Sequence, residues 1–243
     1  MKKIFTATLF VTVLSAFSTI VFAQTESREN LLQQIETKRA ELATLEKTFL
    51  EPSDEDRATF AEFLKQPNTG LIRLLPREVF DKGSKLTTRG GGAYYSFTRL
   101  SHDYGNGTDL ELQQKQLSVG FAGANYGMML NVGDIPLDEI SIEHPTARVL
   151  SNHSAATDEP QARVEQRRFS TGTTIEGIAY KDRVPVQVNA TYLLRSIYYS
   201  ASDVLVAFRV VRQDGDGSAI ILWKLLKKYP KPELARPNQA KID

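Results

Sequence analysis

Residues 191–228 read TYLLRSIYYSASDVLVAFRVVRQDGDGSAIILWKLLKK. Three apolar runs are separated by polar breaks at Ser200–Asp203 and Asp214–Gly217. Apolar runs of strand length rich in Val, Ile, Leu and aromatics, bounded by turn residues, predict a meander of three antiparallel strands. A two-residue turn at Gly215-Asp216 and a four-residue loop at Asp214–Gly217 give the same register. Phe208 then faces Trp223, Val206 faces Leu225 and Val210 faces Ile221, forming one apolar face. The reverse face carries Leu205, Val211, Ile220 and Leu226 but is interrupted by Arg209 and Lys224. It is apolar enough to be covered, by N-terminal helices or by other strands.

The first break sets where Arg195 goes. An even-length turn puts it on the Phe208 face, and an odd-length turn puts Tyr192, Leu194 and Tyr198 there instead. Burying a lone guanidinium costs several kcal/mol unless it is paired. The odd register is therefore favoured, or an acidic partner for Arg195.

Upstream of the meander, further strands are expected at residues 93–100, 110–116, 117–121, 128–132, 163–169, 174–180 and 184–188. Gly120-Phe-Ala-Gly-Ala-Asn-Tyr-Gly127 is rich in small residues, which points to a bend, a bulge or a close backbone approach. Gly90-Gly91-Gly92 reads as a flexible entry to the sheet, residues 136–143 as a loop with a helical turn, and 151–161 as a polar, mobile loop.

The N-terminal part is helical. Leu31, Ile35, Leu42, Leu45 and Phe49 recur at heptad spacing across residues 26–50, with Lys38 in the remaining slot. Glu41 and Glu46 would repel across a parallel pair. The stripe packs on the chain's own domain or, as the alternative, drives self-association. Pro52 ends this helix. Ser53 then caps a second one whose first turn is Asp54-Glu55-Asp56, with Phe60, Phe63 and Leu64 as its apolar stripe.

Together these give an α+β fold, an N-terminal helical hairpin followed by an antiparallel β-sandwich or half-barrel. The expected divisions are 1–23 signal peptide, 24–67 helical region, 68–84 linker, 85–229 β-rich domain and 230–243 basic Pro-containing tail. The leader reading rests on Lys2-Lys3, the apolar run Ile4–Phe22 and the cleavage pattern Val21-Phe22-Ala23. Removing it takes the net charge from +1 to −1, because it holds two lysines and no acid. Such a balance implies no nucleic-acid partner.

The 243-residue chain has no cysteine. That removes thiol nucleophiles, thiolate metal sites and disulfides, and it fits a bacterial periplasmic or extracellular protein held by its core. Only three histidines are present, none at metal-ligand spacing, so no metal and no cofactor is expected. Asp214-Gly-Asp-Gly-Ser218 resembles the opening of a calcium loop but has Leu225 where a bidentate Glu is needed. There is no Gly-x-Ser-x-Gly elbow.

What remains is thin. His102, Asp103 and Tyr104 in a glycine-bearing turn are the catalytic candidates. Tyr94, Tyr95, Phe97 and Arg209 are the ligand candidates, the aromatics because such clusters either pack a core or form a ligand platform. The leading expectation is an exported, non-enzymatic binding protein of the bacterial cell envelope, with a protein partner or an apolar ligand. The alternatives are a periplasmic or secreted hydrolase centred on His102, or an assembly protein that self-associates through helix 26–50.

Overall fold

The computed structural model describes residues 5–83 and 85–235, with side chains from residue 28 onward. Met1–Ile4 of the leader reading and 236–243 of the tail reading lie outside the described residues.

In chain order the helix α1 (Phe5–Leu50) is followed by α2 (Asp54–Thr59), α3 (Ala61–Leu64), β1 (Thr69–Leu74), α4 (Arg77–Asp81), β2 (Tyr94–Tyr95), β3 (Leu110–Gln113), β4 (Gln116–Ser118) and β5 (Tyr126–Gly133). Two 3₁₀ turns (Leu137–Glu139, Pro145–Ala147), α5 (Arg148–Asn152) and α6 (Glu159–Thr171) come next. The chain closes with β6 (Thr173–Ile175), β7 (Ile178–Tyr180), β8 (Arg183–Pro185), β9 (Thr191–Tyr198), β10 (Ser202–Gln213) and β11 (Ala219–Lys228). Residues 1–49 and 50–243 form separate units. In the first, α1 is one continuous helix.

In the second unit, five antiparallel strands form a sheet in the order β1-β11-β10-β9-β5. A four-stranded sheet, β2-β3-β4-β8, packs on one of its faces, making an α+β fold with a β-sandwich. The interface holds Phe208, Val206, Trp223, Tyr192 and Leu194 from the large sheet and Leu110, Leu112, Leu117 and Val184 from the small one. Phe208 pairs with Trp223, Val206 with Leu225 and Val210 with Ile221, as the alternation of the meander predicts. Tyr198 pairs with Ser202, leaving a three-residue turn with Ser200 at φ 60°. The turn is odd, so Tyr192 and Leu194 join the Phe208 face.

Arg195 accordingly falls on the reverse face, and it also has an acidic partner. Its Nε and Nη2 donate to Asp203 Oδ1 and Oδ2 at 2.5 and 2.8 Å, and Nη1 donates to the Leu150 carbonyl at 2.9 Å. The Tyr229 ring stacks 3.2 Å from its Cζ. Burial raises the Asp203 carboxyl, and the guanidinium opposes that rise. The rest of the reverse face lies under Phe63 of α3, the two 3₁₀ turns, α5, and Ala162 and Phe169 of α6. Arg209 and Lys224 are part of this attachment. Arg209 pairs with Asp134 and donates to the Ile135 carbonyl, and Lys224 Nζ donates to the Ile140 carbonyl at 3.0 Å. Arg212 pairs with Asp56 of α2, which also completes a capping box with Ser53.

Four expectations are corrected. Residues 69–74, within the segment read as a linker, form an edge strand of the large sheet. Leu71, Ile72 and Leu74 are buried there, on both faces, so the run has no polar alternation to mark it. Residues 163–169 lie in a helix, not a strand. Asp158 caps that helix by accepting from the Gln161 N–H, Pro160 sits in its first turn and Gly172 ends it. The stretch 151–161, read as a mobile loop, holds the end of α5 and the start of α6. The three glycines 90–92 are packed, with φ of 82°, 60° and 79°. A Cβ on Gly91 would stand 2.6 Å from Phe80, and one on Gly92 would stand 2.3 Å from Leu50. The left-handed backbone and the close approach both demand glycine.

Residues 230–235, at the start of the segment read as a tail, are also fixed. The Ser200 N–H donates to the Pro232 carbonyl at 2.9 Å, and the Ala235 N–H donates to the Thr157 carbonyl at 2.7 Å.

Candidate functional site

A cleft of about 410 Å³ opens between the small sheet and α6. Six stretches of chain line it: α4 with Arg77, β3 with Glu111 and Gln113, β4 with Ser118, the bend with Phe121, α6 with Gln166, Arg167 and Ser170, and the entry to β8 with Asp182 and Arg183. Local sequence explains how they meet. Glu111 pairs with Ser118 across the β3–β4 hairpin, whose tight turn has Gln114 and Lys115 at positive φ. Gly120, at φ 78°, lets the chain turn so closely that a Cβ there would lie 2.8 Å from Tyr126 Cα. Gln166 Nε2 donates to the carbonyls of Gly123 and Asn125, which ties α6 to that bend. The Asp182 N–H donates to the Phe169 carbonyl, and the Val119 N–H donates to the Asp182 carbonyl, so the C-terminal end of α6 is linked to β8 and β4.

Glu111 is the floor of the cleft and only 4% exposed. It accepts from Arg77 Nη1 and from Ser118 Oγ, each at 3.0 Å. Arg77 Nη1 also donates to the Tyr94 hydroxyl at 2.9 Å. Burial pushes the Tyr94 hydroxyl above its ordinary pKa, and the adjoining Glu111 carboxylate adds to the shift. Burial likewise raises Asp182, against the opposing Ser170 hydroxyl and Arg183 guanidinium. Three guanidiniums and two carboxyls line the cleft, and Arg77 already neutralises the deeper carboxylate. Arg167 and Arg183 are exposed at the rim, which is therefore electropositive.

The residues singled out from sequence fall in different places. Tyr94 supports the cleft through Arg77 and Glu111, packs edge-on to Phe121 with centroids 5.6 Å apart, and is covered by Tyr104 at 4.7 Å. Tyr95 and Phe97 point into the sandwich core and contact Trp223, so the aromatic cluster is divided between core and cleft wall. Arg209 is held by Asp134, Ile135 and Thr191 on the helix-covered face. His102 Nε2 lies 2.9 Å from the Arg73 carbonyl, its ring packs edge-on to Tyr95, and burial lowers its pKa. Asp103 Oδ1 accepts from the Arg89 N–H at 3.1 Å. His102, Asp103 and Tyr104 are thus neighbours in sequence whose polar groups serve separate parts of the fold.

A second cleft of about 500 Å³ lies beside α6, with His153, Pro160, Val164 and Arg168 in its wall. His153 Nε2 is 3.0 Å from the Tyr126 hydroxyl, and burial together with Arg195 and Arg168 takes its pKa down to about 4. Among the described residues no three His, Asp or Glu side chains converge as a metal site, and no helix is long and apolar enough to cross a membrane.

Sequence reasoning missed Glu111, Ser118, Arg167 and Arg183 because no motif joins them: they come from elements up to 72 positions apart. The signal that was available is Asp158-Glu-Pro160, a helix start that puts Gln166, Arg167 and Ser170 on neighbouring positions of one helix. Comparison with protein-family models, with curated proteins and with solved structures finds no match in any of the three.

Proposed function

We propose that the chain is an exported, non-enzymatic binding protein of the bacterial cell envelope, holding a small polar ligand in the cleft between the small sheet and α6. The observation that carries this reading is the construction of the cleft. Glu111, a carboxylate almost wholly withdrawn from water, is held by Arg77 and Ser118 at its floor, while Arg167 and Arg183 stand at its mouth. Convergence of a few fixed polar groups from separate elements is the usual form of a ligand site. Export is supported by the leader-like residues 1–23 and the absence of cysteine. The apolar-ligand version of this reading has less support, because three guanidiniums would lose hydration against such a ligand. The hydrolase reading rests on His102, whose Nε2 is engaged by the Arg73 carbonyl.

Protein recovered from the envelope fraction tests both parts. Its N-terminal residue is expected to be Gln24, and its native mass spectrum should carry a non-covalent adduct that Arg183→Ala removes. An adduct that survives Arg183→Ala, or an unprocessed N-terminus, would count against the corresponding part.

Self-association is a second reading with its own observation. Leu31, Ile35, Leu42, Leu45 and Phe49 of α1 are 42–67% exposed in the single chain. The same mass spectrum reads the stoichiometry, and Leu42→Glu should convert a dimer to a monomer.

A further inference from the structure

The cleft between the small sheet and α6 also bears on the class of ligand. Resting on the reading of it as a polar-ligand site, the lining narrows that class. We infer that the cleft takes an acidic saccharide, a sugar ring bearing a carboxylate, with the acid at Arg167 and Arg183 and the ring over Phe121.

Each part of the lining favours one part of such a ligand. Arg167 and Arg183 are exposed guanidiniums on α6 and at the start of β8, and a guanidinium matches the planar carboxylate through two parallel hydrogen bonds. Between rim and floor are the Gln113 amide and the Ser170 hydroxyl, while the Gln166 N–H groups are held by the Gly123 and Asn125 carbonyls. Amides and hydroxyls both donate and accept, which suits hydroxyls that do the same. Phe121 is half-buried and held edge-on by Tyr94, so its ring is an apolar wall in an otherwise polar cleft. A volume of about 410 Å³ lies at the small end of the range for small-molecule sites.

Other classes use less of this lining. A cationic ligand meets an electropositive rim. A wholly apolar ligand strips water from Arg167 and Arg183 and returns no hydrogen bond. A bare inorganic anion leaves Phe121 and Gln113 without a role.

The test titrates the mature chain with digalacturonic acid, its dimethyl ester and inorganic phosphate, following backbone amide shifts by NMR. The acid should move amides at 118–121, 166–170 and 182–183. The ester should bind at least about tenfold more weakly, and Arg167→Ala and Arg183→Ala should each weaken the acid by about tenfold or more. Both arginines are exposed, so the variants should melt with the parent. An ester that binds as well as the acid overturns acid recognition and leaves the cleft reading standing. Phosphate that produces the same shifts at the same affinity overturns the saccharide. The absence of shifts at millimolar digalacturonic acid, while the native mass spectrum still shows an Arg183-dependent adduct, overturns the ligand class alone. Shifts confined to the His153 cleft overturn the placement of the site itself.

Discussion

One face of the central sheet presents Phe208, Val206, Leu194 and Trp223 to a second sheet; the other presents Arg195, Arg209 and Lys224 beneath short helices and turns. On the first face, interdigitating hydrocarbon supplies the cohesion, and shape is the main requirement. On the second, Leu193, Ile197, Leu205 and Leu222 pack as well, and in addition long cationic side chains reach backbone carbonyls at Leu150, Ile135 and Ile140 and fasten the short helices and turns that cover it. Short helices leave unpaired carbonyls at their ends. The cations that interrupt this face in sequence are the donors that satisfy such groups.

The comparison can be broken most severely at one position on each face. Phe208→Ala should cost about 3–5 kcal/mol through the cavity it leaves. Asp203→Ala should cost a similar about 3–5 kcal/mol by stranding the Arg195 guanidinium. The rescues separate the two faces. The double change Arg195→Met with Asp203→Leu should recover most of the Asp203→Ala loss in urea unfolding, whereas the same double change should recover none of the Phe208→Ala loss. Equal responses would show that the two faces are not held by different means.

A smaller effect sharpens the contrast on the sandwich side. Asp109 is fully buried at the end of that core, where the Phe97 N–H donates to its Oδ2 and its Oδ1 has no partner. Burial pushes its pKa up to about 7; the Ser196 hydroxyl, the Phe97 N–H and Arg99 oppose the rise, and Asp203 adds to it. The folded chain therefore holds this proton to about pH 7, while the unfolded chain releases it near pH 3.8. Its contribution to stability is complete below the unfolded value and is lost as pH rises through 7. His153 runs the opposite way, losing stability as pH falls from 6.5 toward 4. Asp109→Asn isolates the first term. It should match the parent at pH 4 and exceed it by roughly 2–4 kcal/mol at pH 8, in urea unfolding at both pH values. A difference that does not change with pH would remove Asp109 as the titrating group. The least effect is expected from Lys224→Ala, about 1–3 kcal/mol, since it takes the Lys224 ammonium from the carbonyl of the buried Ile140.

The same contrast explains what could be read in advance. The register of β9–β11 was legible because period-two alternation and turn length fix it together: Phe208 opposite Trp223, and an odd turn that sends Arg195 to the other face. The partner of Arg195 was not, because Asp203 lies in the turn segment, where an acid reads as turn chemistry. β1 was missed because a strand covered on both faces shows no alternation. α6 was missed because a charged sequence with Val164 and Phe169 reads as a half-buried strand unless Asp158 and Pro160 are weighed as a helix start. The cleft needs elements that only tertiary structure brings together. Tyr94 was the one candidate to reach it, and it does so as a support behind Arg77.

The strand order has a consequence in time. β1, the first strand among the described residues, is an edge strand whose sheet partner is β11, the last of them, and Tyr229 closes over Arg195 after that. A ribosome must release residues 69 through 228 before the large sheet can be completed. Sheets that depend on such distant pairings form slowly. The nascent chain therefore has a long interval without its principal core, in which that apolar surface is open to water and to other chains.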